Sequence, residues 1–432
     1  MFKKEHSIFL ILVFLPNFMQ IVITNPFSNR FAYASYFIIL SVALIMFPKN
    51  GMSMNASFKK VILVNSFFIL IILYQMVTLE DFSAIYWMIM VPFLLGIELF
   101  VLFSAKETSY NVYLIERVMK YVLVCFYIQL ILSVYESLSG SFLIHAYDEY
   151  LQVRSQDSFE SRFILSNLPG PINPFTYLKL GLSGLHGQHN GWAFQLPFYN
   201  LLTAFAYIRT NKRFFLYTMI LVLMAQMLNT TRTGILAIFV TDVLVYMKFF
   251  YRKKAVVRTI TVVAVVAIPV FLGLSATIYN YFADYFMKGG SDTLSIRIDM
   301  WRSAIYHLTS GGFFLLTGLG YAEAGRLALS FVLLGGYESQ LSSLENVFLD
   351  VLFLYGVIGL ALFVYFVRVL IWKRADKTYR YFNLLLVVNM MIIGMTLGQV
   401  FVLRCYPLLL FCFIAFYLLP LQEVSGSNGD YG

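Results

Sequence analysis

The chain has 432 residues, of which 60% are hydrophobic and 12% charged, with a formal net charge of +9. Soluble domains run near half apolar and a quarter charged, so this composition excludes a soluble globular protein, a disordered chain and a collagen-like or coiled-coil rod. The apolar residues fall in runs of about twenty, the length an α-helix needs to cross the hydrocarbon core. They do not alternate as barrel strands would, as Val262 to Leu272 illustrates. The predicted fold class is all-α: a polytopic transmembrane helical bundle.

The first run follows Lys3 and Lys4 and begins at Ser7. It resembles a secretory leader, but no small-x-small cleavage site follows it, so it reads as an uncleaved first helix. Spans are predicted at 7–25, 31–48, 60–79, 82–104 and 118–138, which together make region 1–138. A loop over 139–190 follows. Spans at 191–208, 214–229, 233–250 and 257–281 occupy region 191–281, and a second long loop covers 282–345. Spans at 346–368, 381–400 and 405–421 and a short tail complete region 346–432. The count, about twelve, is even, so both termini lie on one side.

Charge sets that side. With the N-terminus in the cytoplasm, the short inner loops collect most of the basic residues, among them Lys59, Lys60, Arg209, Lys212, Arg213, Lys248, Arg252, Lys253, Lys254, Lys373, Arg374 and Lys377. Retention of Lys and Arg in the cytoplasm accounts for this, and for the net charge without nucleic acid as a partner. Both long loops then face outward. They carry Trp, Tyr and Phe besides Gly and charge, and hold His145, His186, His189 and His307. The inner side has no loop large enough for a nucleotide-binding domain, and no phosphate-binding Gly-rich loop is present. The absence of a two-fold repeat argues against a transporter. Cys125, Cys405 and Cys412 lie inside apolar runs and read as small core residues.

Several segments could carry chemistry. In chain order, the first is Gly184-Leu185-His186-Gly187-Gln188-His189-Asn190-Gly191-Trp192. His186 and His189 could ligate a metal, but no third ligand is evident; a polar lip that meets substrate through His189 and Asn190 is the stronger reading. The second is Asn229-Thr230-Thr231-Arg232-Thr233-Gly234, a very short outer turn. Its arginine either snorkels to the headgroups or presents its planar fork to phosphate oxygens. The third is Ser295 to Arg302, a predicted amphipathic helix followed by Gly311-Gly312 and Gly318-Leu319-Gly320. Arg297 and Trp301 are four apart and share a face, so they could hold a phosphate and stack a sugar ring. The plainer alternative is a surface helix with an Asp299–Arg302 pair. The fourth is Glu345-Asn346 before the tenth span. Glu345 is either a general base at the bundle's mouth or a carboxylate that complements a helix N-terminus. Glu98, Asp242 and Asp350 are intramembrane acids, read as interhelical hydrogen-bonding groups or a proton path. Asp350 lies four after Asn346, which suggests a hydrogen-bonded pair.

Taken in order, Gly-Leu-His-Gly-Gln-His-Asn at 184–190, Thr-Arg-Thr-Gly at 231–234, Arg-x-x-x-Trp at 297–301 with Gly-Leu-Gly at 318–320, and Glu-Asn-x-Phe-Leu at 345–349 with Gly356 and Gly359 resemble the O-antigen polymerase and O-antigen ligase superfamily. The resemblance covers roughly 181–360. It favours the Wzy-type polymerase, because the ligase branch usually has His-Asn where this chain has Glu345-Asn346. The family's early motif often reads Pro-Asn where His189-Asn190 stands, and an arginine often found upstream is missing, with Lys179 a stand-in.

The resemblance implies a glycosyltransferase of the bacterial inner membrane, with both termini cytoplasmic. It would move a growing glycan from undecaprenyl diphosphate onto a sugar hydroxyl of the next lipid-linked repeat unit. Donor and acceptor are then both undecaprenyl-diphosphate-linked oligosaccharides, membrane lipid surrounds the site, and a chain-length regulator is a candidate partner. No cofactor and no metal are expected. Arg232 and Arg297 would clamp the diphosphate, Glu345 would take the proton, and Trp301, Arg302, Asn346, His189 and Asn190 would contact substrate. The alternatives are the ligase that transfers glycan to lipid A-core, and a lipid-linked oligosaccharide flippase.

Overall fold

In the computed structural model, the residues described are 66–67, 70–71, 73–74, 109–139, 192–229, 232–250, 301–302, 304–306, 308–309, 313–319, 346–372, 377–394, 408–409, 411–413, 415–416 and 419. They are overwhelmingly helical. The expected spans at 7–25, 31–48, 82–104 and 257–281 lie outside them. The longer helices are α1 (Ser109–Ser139), α2 (Leu196–Thr210), α3 (Arg213–Asn229), α4 (Arg232–Val245), α6 (Val347–Trp372) and α7 (Lys377–Gly394); the short α5 (Phe314–Thr317) lies between α4 and α6. Each long helix falls where an apolar run predicts a span. The stretch Val347–Tyr365 of α6 is long and apolar enough to cross a membrane.

Two of the helices, α3 and α4, turn apolar stripes outward. On α3, Tyr217, Ile220, Met224 and Met227 are exposed; on α4, Leu236, Phe239, Val243 and Met247. Both sets recur at three- and four-residue steps, so each makes one outward stripe. Inside, the same helices bury Thr218, Gln226 and Thr241 beside Val222 and Ile238. Lipid tails are as apolar as Leu, so membrane helices turn grease outward and use polar side chains between helices. Tyr127 and Thr218 share a hydrogen bond of 2.7 Å between α1 and α3. Asp242, read from the sequence as an interhelical hydrogen-bonding acid, finds its partner on a neighbouring helix: Asn200 of α2 donates to its carboxylate at 2.6 Å.

Turn chemistry sets the topology. Asn211 ends α2 in the left-handed conformation at φ 52°, and its N–H reaches the Tyr207 carbonyl. Asn tolerates this conformation better than most side chains, and a two-residue turn then sends α3 back along α2. Only two residues separate the end of α3 from the start of α4. Gly234 fits α4 against α3: a Cβ there would clash with the buried Gln226 side chain. Against α2, Phe382 of α7 meets Phe205 and Asn389 donates to the Pro197 carbonyl. The two helices therefore run antiparallel. The core fills around Phe205, Phe382 and Phe416, with ring centroids 4.7 to 5.3 Å apart.

The apolar run of α6 is not one continuous helix. Gly356 has φ 67° and ψ −168°, which breaks the helix at that point. The break frees backbone groups, and Leu319 N–H takes up one of them by donating to the Phe353 carbonyl at 2.8 Å.

Candidate functional site at one end of the bundle

Tyr381 fixes the register of α7 on α4: its hydroxyl donates to the Leu244 carbonyl at 2.6 Å. Helix ends leave carbonyls without partners, and α4 ends there in a π-helical turn, Tyr246–Phe250. Lys248 sits 3.7 Å over the Tyr381 ring. Twelve residues back along α4 from Leu244 is Arg232, and twelve forward along α7 from Tyr381 is Ile393. At 1.5 Å per residue both steps cover about 18 Å in the same direction. Next to Ile393, Gly394 abuts Val347, the first residue of α6, with a Cβ position 3.4 Å from its side chain. The first turn of α4 and the first turn of α6 therefore lie at one end of the bundle.

The two ends differ in charge. Arg209, Arg213, Lys248, Arg368, Lys377 and Arg380 lie towards the opposite end of their helices, with Lys212 in the α2–α3 turn beside them. That end is also tied by the Arg209–Glu116 ion pair between α2 and α1. At the first end, Arg232 is the first residue of α4, and α2, α4 and α6 all begin there. Helix N-termini carry partial positive charge and favour anions.

Asn346 caps α6. Its side-chain oxygen accepts from the N–H of Phe348 at 3.0 Å and of Leu349 at 3.1 Å. Asp350, expected to pair with it, is joined to it through the backbone, Asp350 N–H to Asn346 carbonyl at 2.8 Å. The signal for the cap is in the sequence, an Asn directly before an apolar run; substrate contact is the role that the motif alone suggests there. Trp301 is half-buried and packs on a small cluster of Ala304, Leu308, Leu319 and Phe353 beside Leu349 and Leu352. It thus lies along the first half of α6, whereas Arg302 is exposed. Trp192, expected at a polar lip, is fully buried and stacks on Phe126 at 6.3 Å.

The structure thus places Arg232 and the cap residue Asn346 at the same end of the bundle, and packs the helical stretch of Trp301 along the first half of α6. Arg297, Glu345, His189 and Asn190 lie outside the described residues. Among the described residues no group of His, Cys, Asp and Glu is assembled to hold a metal. Cys412 is a buried core residue, as expected, with its Sγ 3.8 Å from the Phe198 carbonyl.

Residues 217–364 match a family model described as O-antigen ligase. The matched segment begins in α3, contains Arg232, Arg297, Trp301 and Glu345, and ends within α6. It supports the O-antigen ligase and polymerase superfamily, whose members are bacterial membrane enzymes acting on lipid-linked oligosaccharide, and with it a role in O-antigen assembly. It does not separate polymerase from ligase. No curated protein matches the chain.

Proposed function

We propose that the protein is a polysaccharide repeat-unit polymerase at the outer face of the bacterial inner membrane. The observation that carries this reading is that α4 and α6 begin at the same end of the bundle: the family-matched segment supplies both N-termini, with Arg232 opening one and Glu345-Asn346 preceding the other. The basic ends of the helices belong in the cytoplasm, which turns the Arg232 end outward and leaves both chain termini inside. The substrate carries its own activation as a diphosphate, so the nucleotide motifs missing from the sequence are not needed.

In this reading the Arg232 and Arg297 guanidiniums grip the diphosphate of the donor. The Glu345 carboxylate removes the proton from the acceptor hydroxyl as that oxygen attacks the anomeric carbon. The glycosyl–phosphate bond breaks, and undecaprenyl diphosphate leaves with its charge held by the two arginines. Trp301 lines the sugar-binding side, and Arg302, Asn346, His189 and Asn190 contact substrate. Glu345-Asn346, in place of the His-Asn usual in the ligase branch, favours polymerase over ligase.

Deletion of the gene should collapse the surface glycan ladder to a single repeat unit on the lipid acceptor. Complementation with Arg232→Ala should leave that single-unit pattern although the protein is inserted. Arg232→Lys should restore it poorly, since an ammonium keeps the charge but loses the fork. Loss of every glycan-bearing form on deletion would instead assign the ligase reaction, and a normal ladder from Arg232→Ala would remove Arg232 from the site.

A further inference from the structure

The segment Phe313–Leu319 falls within the long stretch 282–345, which the sequence alone reads as an outer aqueous loop. Its packing places it elsewhere. A Cβ on Gly356 would lie 2.2 Å from the Leu316 carbonyl oxygen and 2.6 Å from the Gly318 nitrogen. A Cβ on Gly318 would lie 2.4 Å from the Leu354 carbonyl. The two backbones touch through glycines, and the Leu319 N–H bond to Phe353 locks them. Gly318 itself has φ 79°, a conformation that favours glycine.

The contact point lies deep along α6. Gly356 is nine residues past Val347, about 14 Å into a stretch that would cross a core of roughly 30 Å. The segment is therefore level with the middle of a membrane-crossing stretch. Its side chains suit that depth: Phe313 is 73% exposed and Leu316 45%, with Phe314 and Leu315 exposed beside them. They continue the outward apolar face of α6 at Val357 and Ile358.

The backbone supplies an independent argument. Hydrocarbon offers no partners, so irregular backbone at membrane depth must satisfy its own polar groups. Here Leu316 and Thr317 N–H donate to the Phe313 carbonyl, Gly318 N–H to Phe314 and Leu319 N–H to Phe353, at 2.8 to 3.1 Å. The Thr317 hydroxyl also turns back to the Phe313 carbonyl at 3.1 Å. Every N–H from Leu316 to Leu319 has a partner within the protein.

We infer that residues 313–319 form a re-entrant element that dips into the bilayer beside the broken middle of α6, with lipid acyl chains against Phe313, Phe314, Leu315 and Leu316. It would moor the outer segment that contains Trp301 to the membrane, at the level where a lipid-borne substrate travels. The inference rests on α6 crossing the membrane and not on the polymerase reading.

Nitroxide labels at Phe313→Cys and Leu315→Cys, in a full-length chain with Cys125, Cys405 and Cys412 replaced by Ala and reconstituted in phospholipid vesicles, test it. Val364→Cys on the exposed face of α6 serves as the lipid reference, and Lys212→Cys in the α2–α3 turn as the aqueous one. Collisions with oxygen should exceed those with a water-soluble nickel chelate several-fold at 313 and 315, as at 364. Nickel accessibility like that at 212 would overturn the inference. So would low collision with both reagents, which would mean that protein covers these side chains. Nickel accessibility at 364 itself would remove the premise that α6 is embedded. Because the labelled positions are exposed, the labels leave the glycine contact undisturbed.

Discussion

Gly356 and Gly318 each do something that no other residue could do at their positions. Gly356 combines φ 67° with an extended ψ, and a Cβ would strike the Leu316 carbonyl. Such a conformation is essentially confined to glycine and costs another residue about 1–3 kcal/mol, before the backbone clash is counted. Gly356→Ala should therefore lower stability by about 3 kcal/mol or more. The check is the thermal unfolding midpoint of detergent-solubilised protein, with Gly394→Ala as a control, since its Cβ would make only ordinary contact with Val347. A midpoint for Gly356→Ala equal to that control would show that α6 is not locked in the broken form. Gly234, in the Thr-Arg-Thr-Gly element, acts differently. It admits the Gln226 side chain between α3 and α4 and so sets where Arg232 begins its helix.

At the scale of elements, α2, α4 and α7 are held by polar contacts inside a greasy exterior. Asn200 donates to Asp242 at 2.6 Å, between α2 and α4. Hydrogen bonds between membrane helices are worth about 0.6 kcal/mol on average and up to about 1.7. Asn200→Ala and Asp242→Ala should each cost about that much, and the double variant should cost no more than the larger single change beyond its lost packing. Asp242→Asn keeps an acceptor oxygen for Asn200 and should be near neutral. Denaturant unfolding of the four variants measures the coupling. A stable Asp242→Asn protein without activity would instead assign the carboxylate a chemical role.

Helix positions are legible in the sequence because runs of about twenty apolar residues are unambiguous, and the starts at Arg213, Arg232 and Val347 lie within a residue or two of the expected ones. The break in α6 is not legible. Gly356 and Gly359 stand in an otherwise continuous apolar run, and a membrane helix tolerates glycine. What selects the break is a backbone partner at Leu316–Leu319, far away in the chain. The outward apolar face of Phe313–Leu316 is hidden for the same reason, since four apolar residues are too few to read as a span. In the candidate site, Arg232 stands out as a cation at the edge of an apolar run. Asn346 stands out as a polar residue before one, and what the structure shows it doing is capping α6. Trp301 reads from spacing alone as a plate on the same face as Arg297, and its half-burial in a cluster of Ala304, Leu308, Leu319 and Phe353 is something only the fold assembles.

At the scale of the whole molecule, the helices divide one end from the other. The basic residues of α2, α3, α6 and α7 crowd one end, and the N-termini of α2, α4 and α6 with Arg232 mark the other. In the proposed polymerase reading this polarity has a use: anchoring charge on the side that stays inside, and an anion-favouring rim where the diphosphate emerges. The most direct test is polymerisation by the purified full-length protein in proteoliposomes. The substrate would be the undecaprenyl-diphosphate-linked repeat unit extracted from the corresponding deletion strain, with no nucleotide sugar added. A polymerase with Arg232 at its site should give a ladder of lengthening lipid-linked glycans from the wild-type protein and single units alone from Arg232→Ala. Polymer of normal length from Arg232→Ala, or none from the wild-type protein unless a lipid A-core acceptor is supplied, would contradict it.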